Sequence, residues 1–155
     1  MLLNILLILP SLGLAQIHFD NQAEQLGIRS LKTEFSIGNG VSFVDFNQDG
    51  WDDIVVANGN DISRQSVVVY YNNGDGTFPL TPSWSRTDID YHGHLAIGDI
   101  NGDNLPDVAV SVFLGPGGFT DPGHVKVYFN TGNALEDTPS FQTADSMFTF
   151  SCALG

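Results

Sequence analysis

The sequence predicts an all-β fold made of β-propeller blades, about two blades and the first strand of a third, as a fragment of a larger propeller. Three observations predict it. Short Val/Ile/Phe-rich runs recur between Gly/Asn/Asp clusters, with no convincing amphipathic helix beyond a weak one near Asn21–Leu26. One stretch is repeated: VSFVDFNQDGWDDIVVA (41–57) lies over LAIGDINGDNLPDVAVS (95–111), an offset of 99 − 45 = 54 residues. A unit of that length with about four short strands fits a blade. Finally, 15 of the 18 acidic residues are Asp, which favours turns and metal loops over helix surfaces.

The elements follow in order. Residues 1–15, MLLNILLILPSLGLA, are uncharged and Leu/Ile-dense, with Gly13 and Ala15 spaced as before a signal-peptidase cut. They are expected to be a signal peptide, although no Lys or Arg precedes the run; the alternative is a buried strand. The run is shorter than the roughly 20 residues that span a bilayer. Residues 16–34 form a lead-in segment. The first blade is placed at 35–91, with strands over Val41–Phe46, Ile54–Ala57 and Val67–Tyr71. The second is placed at 92–147, with strands over Leu95–Ile100, Val108–Phe113 and Val125–Phe129. Several runs, Val67-Val68-Val69-Tyr70-Tyr71 above all, are apolar on both sides, as in a sheet packed on both faces. Residues 148–155 read as the start of a third repeat: Cys152-Ala153-Leu154-Gly155 matches Leu95-Ala96-Ile97-Gly98, which precedes Asp99. Two blades do not close a propeller, so further blades of the same chain are expected.

The repeated acidic loops carry the chemistry. The first holds Asp45, Asn47, Asp49 and Asp53; the second holds Asp99, Asn101, Asp103 and Asp107. Oxygen side chains therefore stand at positions 1, 3, 5 and 9 of each. Ca²⁺ takes 6–8 oxygen ligands in flexible geometry, and a tight loop of short Asp and Asn side chains suits it. Position 7 supplies its backbone carbonyl, from Trp51 and Leu105. Mg²⁺ demands stricter geometry, and zinc prefers His or Cys. Gly50 at position 6 allows the sharp turn; Asn104 replaces it in the second loop and also tolerates the left-handed region. An EF-hand needs a Glu at position 12 and flanking helices, whereas Val56 and Val110 stand there in strand-like runs. The remaining alternative is an Asx-rich hairpin without metal.

This pattern, D-x-[DN]-x-D-G-x-x-D between β-strands, resembles the FG-GAP/VCBS repeat of integrin α-subunit propellers and many exported bacterial proteins. The resemblance covers roughly Phe35 to Gly155, and Ile17–Ile28 is similar to the lead-in often found before such repeats. It implies a β-propeller with two Ca²⁺ ions, held by Asp45, Asn47, Asp49, the Trp51 carbonyl and Asp53, and by Asp99, Asn101, Asp103, the Leu105 carbonyl and Asp107. It also implies a secreted, extracellular or cell-surface location, or the periplasm of a bacterium.

Other chemistry is weaker. His92 and His94 stand two apart and on a regular strand would share a face, but no third zinc ligand is visible. No G-x-S-x-G elbow and no P-loop occur. The Gly-rich loop Phe113–Phe119 exceeds its counterpart Gly59–Gln65, which makes it a candidate contact surface or an ordinary insertion. Trp51 and Trp84 read as core or blade-packing residues. Cys152 is a lone thiol, buried or awaiting a partner. A formal charge of −13 excludes a nucleic-acid surface. The reading is a binding or adhesion module for an extracellular protein or glycan, with structural Ca²⁺, no enzyme activity and no membrane span. The alternative is the propeller portion of a secreted enzyme whose catalytic residues lie elsewhere.

Overall fold

The structure is a computed structural model and describes residues 40–59 and 61–155; the expected signal peptide and lead-in lie outside them. Among the described residues, eight strands form two antiparallel sheets: β1 (Gly40–Val44), β2 (Asp53–Ala57), β3 (Val67–Tyr70) and β4 (Trp84–Ser85), then β5 (Tyr91–Gly98), β6 (Asp107–Leu114), β7 (Val125–Tyr128) and β8 (Phe141–Gln142). Each sheet keeps chain order, β1-β2-β3-β4 and β5-β6-β7-β8. Within each sheet every strand is thus the antiparallel neighbour of the next, joined through Gly- and Asn-bearing connections. A single 3₁₀ turn, Gly118–Thr120, interrupts the β6–β7 connection.

Alternation along β2 and β3 explains the two-sided apolar runs. Val55, Ala57, Val67 and Val69 face the second sheet and join Phe46, Leu95, Val108, Val110, Tyr128 and Leu135 in one core. Ile54, Val56, Val68 and Tyr70 pack on the opposite face, with Phe78 against them. The first strand ends at Val44 rather than running to Phe46. Phe46 instead leaves the sheet and drops into the core, 1% exposed. The two outer strands are two residues each, and no run in the sequence marked them.

The β5 strand departs from a regular ladder. His92 pairs with Val112 and Leu95 with Val110, so three steps on β5 oppose two on β6. The extra residue is a β-bulge, which breaks period-two alternation. The expectation that His92 and His94 share a face therefore fails: His92 is buried and His94 is exposed. Ser111, fully buried, fills the gap in the ladder. Its Oγ accepts from His94 N at 2.7 Å and donates to His94 O at 3.1 Å. Gly93 sits where a Cβ would come within 2.6 Å of Phe150 O, so residues near the chain end lie directly on this strand. Phe150 stacks on Phe113 with centroids 4.0 Å apart. Cys152 is half-buried beside them, its Sγ 3.5 Å from Ala109 O.

Candidate metal loops and their buried clamps

The acidic segments are the β1–β2 and β5–β6 hairpin connections, at the same end of each sheet. In the first, Asp45 Oδ1 accepts from Asp49 N and Asp45 Oδ2 from Gly50 N, both at 2.9 Å. Asn47 Oδ1 accepts from Asp49 N at 3.0 Å, and Asp49 Oδ1 from Trp51 N at 2.9 Å. The second loop repeats this bond for bond. Asp99 Oδ1 accepts from Asp103 N at 3.0 Å and Oδ2 from Asn104 N at 3.0 Å. Asn101 Oδ1 accepts from Asp103 N at 2.9 Å, and Asp103 Oδ1 from Leu105 N at 2.8 Å. Asn47 and Asn101 each donate a side-chain N–H to the Asp at position 5, at 3.0 and 2.9 Å.

Backbone conformation repeats as well. Position 6 is left-handed in both loops, Gly50 at φ 93° and Asn104 at φ 68°, as the reading of Asn104 required. Position 4 is also left-handed, Gly102 at φ 84° and Gln48 at φ 60°. Gln48 and Asn104 are the non-glycine residues with positive φ among those described. They are also bonded to each other: Gln48 Nε2 donates to Asn104 O at 2.7 Å, which ties the two loops together.

The ninth-position aspartates behave differently from the rest. Asp53 and Asp107 are fully buried. Asp53 accepts from Phe46 N at 3.0 Å and Asn72 N at 2.9 Å. Asp107 accepts from Ile100 N at 2.8 Å, Asn101 N at 3.2 Å and Asn130 N at 2.9 Å. Each carboxylate thus clamps the exit of its blade's third strand to the start of its acidic loop. Burial raises the Asp53 pKa above its ordinary value; the backbone donors oppose that rise and the Asp49 charge adds to it. Asn72 and Asn130 complete the clamps and were not singled out as site residues. Asn72 Oδ1 accepts from Gly74 N and Asn130 Oδ1 from Gly132 N, both at 2.9 Å. The signal for them was their equivalence in the repeat, which pairs Val67–Asn72 with Val125–Asn130.

Asp45, Asn47 and Asp49 are therefore brought together, as are Asp99, Asn101 and Asp103, while Asp53 and Asp107 point into the blade. Among the described residues, no three Asp, Glu, His or Cys side chains stand close enough to hold an ion between them. Trp51 is not a core residue: it is 44% exposed. Trp84 does pack against the core, and Leu105 is half-buried. The side-chain acceptors that the loops present are all oxygens. Asp45, Asp49 and Asp103 use one lone pair on each described oxygen for an N–H, and a carboxylate oxygen has a second to offer; Asp99 Oδ1 already accepts from both Gly102 N and Asp103 N, which leaves Oδ2 with the free lone pair.

Two face-to-face four-stranded sheets, each with its first hairpin closed by the same acidic loop, define an all-β repeat protein of propeller-blade type. The chain belongs to the FG-GAP repeat family: the FG-GAP-like repeat model matches residues 45–110, from the first acidic loop into β6. Human integrin alpha-6 is 32% identical over 113 residues, 68% of this chain and 10% of that protein. Chicken integrin alpha-6 is 33% identical over the same length. Bovine phosphatidylinositol-glycan-specific phospholipase D is 28% identical over 129 residues, 77% of this chain and 15% of that protein. The chain thus spans a small part of the length of each of these relatives.

Proposed function

We propose that the chain is a calcium-stabilised propeller module of an extracellular or cell-surface protein, and that it binds a protein or glycan partner. The observation that carries the ion is the bond-for-bond repetition of two loops whose accessible side-chain donors are all oxygens. Asp45, Asn47, Asp49, the Trp51 carbonyl and Asp53 would hold one ion; Asp99, Asn101, Asp103, the Leu105 carbonyl and Asp107 the other. Bound Ca²⁺ supplies positive charge where carboxylates repel one another, so its role is structural. The fit is direct at positions 1, 3 and 5. At position 9 the aspartate already satisfies backbone donors; in Asp107 two of them share Oδ2, so the lone pair it brings is on Oδ1. Extracellular location is supported by the integrin relatives, which are surface proteins.

The test is thermal melting with Ca²⁺ and with EGTA, alongside calorimetric stoichiometry. A ligand present at 100 times its Kd raises stability by about 2.7 kcal/mol. Two ions per chain, falling to one in Asp49→Ala and one in Asp103→Ala, are expected. An unchanged melting temperature at millimolar Ca²⁺ would refute the reading. A second reading, the propeller portion of a secreted enzyme, is favoured by the phospholipase D relatives. Hydrolase activity in a longer chain that contains these blades would select it.

A further inference from the structure

At the end of the sheets opposite the acidic loops, a cavity of about 300 Å³ opens between the two blades. Its polar lining is Arg64 from the β2–β3 connection, Asp88 and Asp90 from the β4–β5 link, and His124, Lys126 and Gln142 from the second sheet. The placement of charge here is unusual for so acidic a chain. Of 5 Lys and Arg in the whole sequence, Arg64 and Lys126 line the cavity and Arg86 bonds to Asp88 behind it. Two cations and two carboxylates therefore face the same space, and their formal charges cancel.

Each group is held with part of its bonding capacity turned elsewhere. Lys126 Nζ donates to Asp90 Oδ2 at 2.6 Å and Asp88 Oδ2 at 3.1 Å, two of its three N–H bonds. All bonds described for Asp88 end on Oδ2, from Lys126, Arg86 and Tyr128, and its side chain is 33% exposed. His124 Nδ1 lies 3.0 Å from Thr143 O. A carbonyl there fixes the proton on Nδ1, so the neutral ring presents a lone pair at Nε2. Gln142 is exposed and offers both a donor and an acceptor. The walls are fixed in advance: Arg64 Nη2 donates to Ile89 O at 2.7 Å, and Gln65 and Asp90 exchange backbone bonds at 3.0–3.1 Å. Gly115 N donates to Asp121 O at 2.7 Å and Gly117 N to Asp121 Oδ2 at 2.9 Å, closing the loop on the far side. Val112 and Pro116 supply apolar wall.

We propose that this cavity binds an uncharged, polyhydroxylated ligand, a single sugar ring. An anion entering it meets Asp88 and Asp90; a cation meets Arg64 and Lys126. A hydroxyl donates and accepts at once and can satisfy interleaved groups of both kinds. The volume stands at the lower end of the range of about 300–1,000 Å³ for ligand pockets, which suits one ring. The proposal narrows the partner of the module suggested above and rests on its being a binding module, but it uses none of the acidic-loop residues.

The test is an amide NMR titration of the Ca²⁺-supplemented chain with methyl glycosides of glucose, galactose, mannose and N-acetylglucosamine, with acetate and methylammonium as charged probes. At least one glycoside is expected to shift the amides of Gly115, Gly123, Lys126 and Gln142 saturably. Gln142→Ala and His124→Phe should each weaken it about tenfold, while Leu80→Ser, on an exposed turn, leaves it unchanged. Stronger shifts with either charged probe, no shift with any probe, or undiminished affinity in both cavity variants would each overturn the sugar site. The Ca²⁺-dependent melting shift is read on the same samples, so failure of the cavity and failure of the ion loops are told apart.

Discussion

At the scale of single residues, position 9 of the acidic loops separates two roles that look alike in sequence. Asp53 and Asp107 share a spacing with Asp49 and Asp103, yet they are buried and hold backbone N–H groups. Leaving a buried donor unsatisfied costs about 1–3 kcal/mol. Asp107 holds three backbone N–H groups, of which Asn130 N is buried, so Asp107→Ala is expected to lose about 1–3 kcal/mol. Asp103→Ala, at an exposed position, should lose less than about 1 kcal/mol when no ion is present. Urea denaturation of both variants in EGTA checks this; equal losses would remove the distinction. The spacing singled out ten candidate ligand positions. It could not separate clamp from loop surface, because burial depends on where Asn72 and Asn130 arrive from the third strand.

His92 supplies a second expectation at this scale. It is buried, its Nδ1 is bonded to Asn58 O, and Asp90, Asp88 and Lys126 surround its other side. Burial is the largest influence and holds its pKa below the ordinary 6.5. The unfolded chain therefore binds a proton that the folded chain resists. Stability from this group is complete above about pH 6.5 and declines as pH falls below it. Melting temperature should drop between pH 7 and pH 5.5 in the native chain, and His92→Gln should flatten that part of the profile. An equal slope in the variant would place the sensitivity elsewhere.

At the scale of elements, the six longer strands were readable from their apolar runs, most plainly β2, β3 and β6, which bury both faces. The outer strands were not, since Trp84–Ser85 and Phe141–Gln142 carry two residues each and alternate nothing. The β5 bulge was equally hidden. It depends on Ser111, whose hydroxyl reaches across from β6 to the His94 backbone, and a serine in a Val-rich strand gives no such notice. Ser111→Ala removes the donor and acceptor from a buried gap and should cost about 1–3 kcal/mol. Ser111→Thr, which keeps the hydroxyl, tests the same point against crowding by its added methyl. If Ser111→Ala denatures at the native urea midpoint, the hydroxyl does not hold the bulge.

At the scale of the whole molecule, charge dominates. A formal −13 over 155 residues makes the folded state repel itself. Salt shortens the reach of that repulsion to about 10 Å at 0.1 M. In EGTA, raising NaCl from low ionic strength to 0.5 M should therefore raise the melting temperature, and the gain should shrink once Ca²⁺ is supplied. A melting temperature indifferent to salt would mean that the acidic groups are already compensated within the fold.

The polar links between the sheets have a consequence for how such a chain grows. Gln48 reaches Asn104 O, Tyr71 reaches Asn133 O, Arg86 reaches Glu136 O and Asp137 O, and Asn130 reaches back to Phe46 O. Each of these side chains ends on a main-chain carbonyl, which every residue type possesses. At these contacts the receiving blade is recognised by the path of its backbone, whereas Lys126 and Tyr128 meet Asp88 and Asp90 side chain to side chain. A duplicated unit can therefore dock on its parent copy at once, and the two can diverge afterwards without matched substitutions at these contacts.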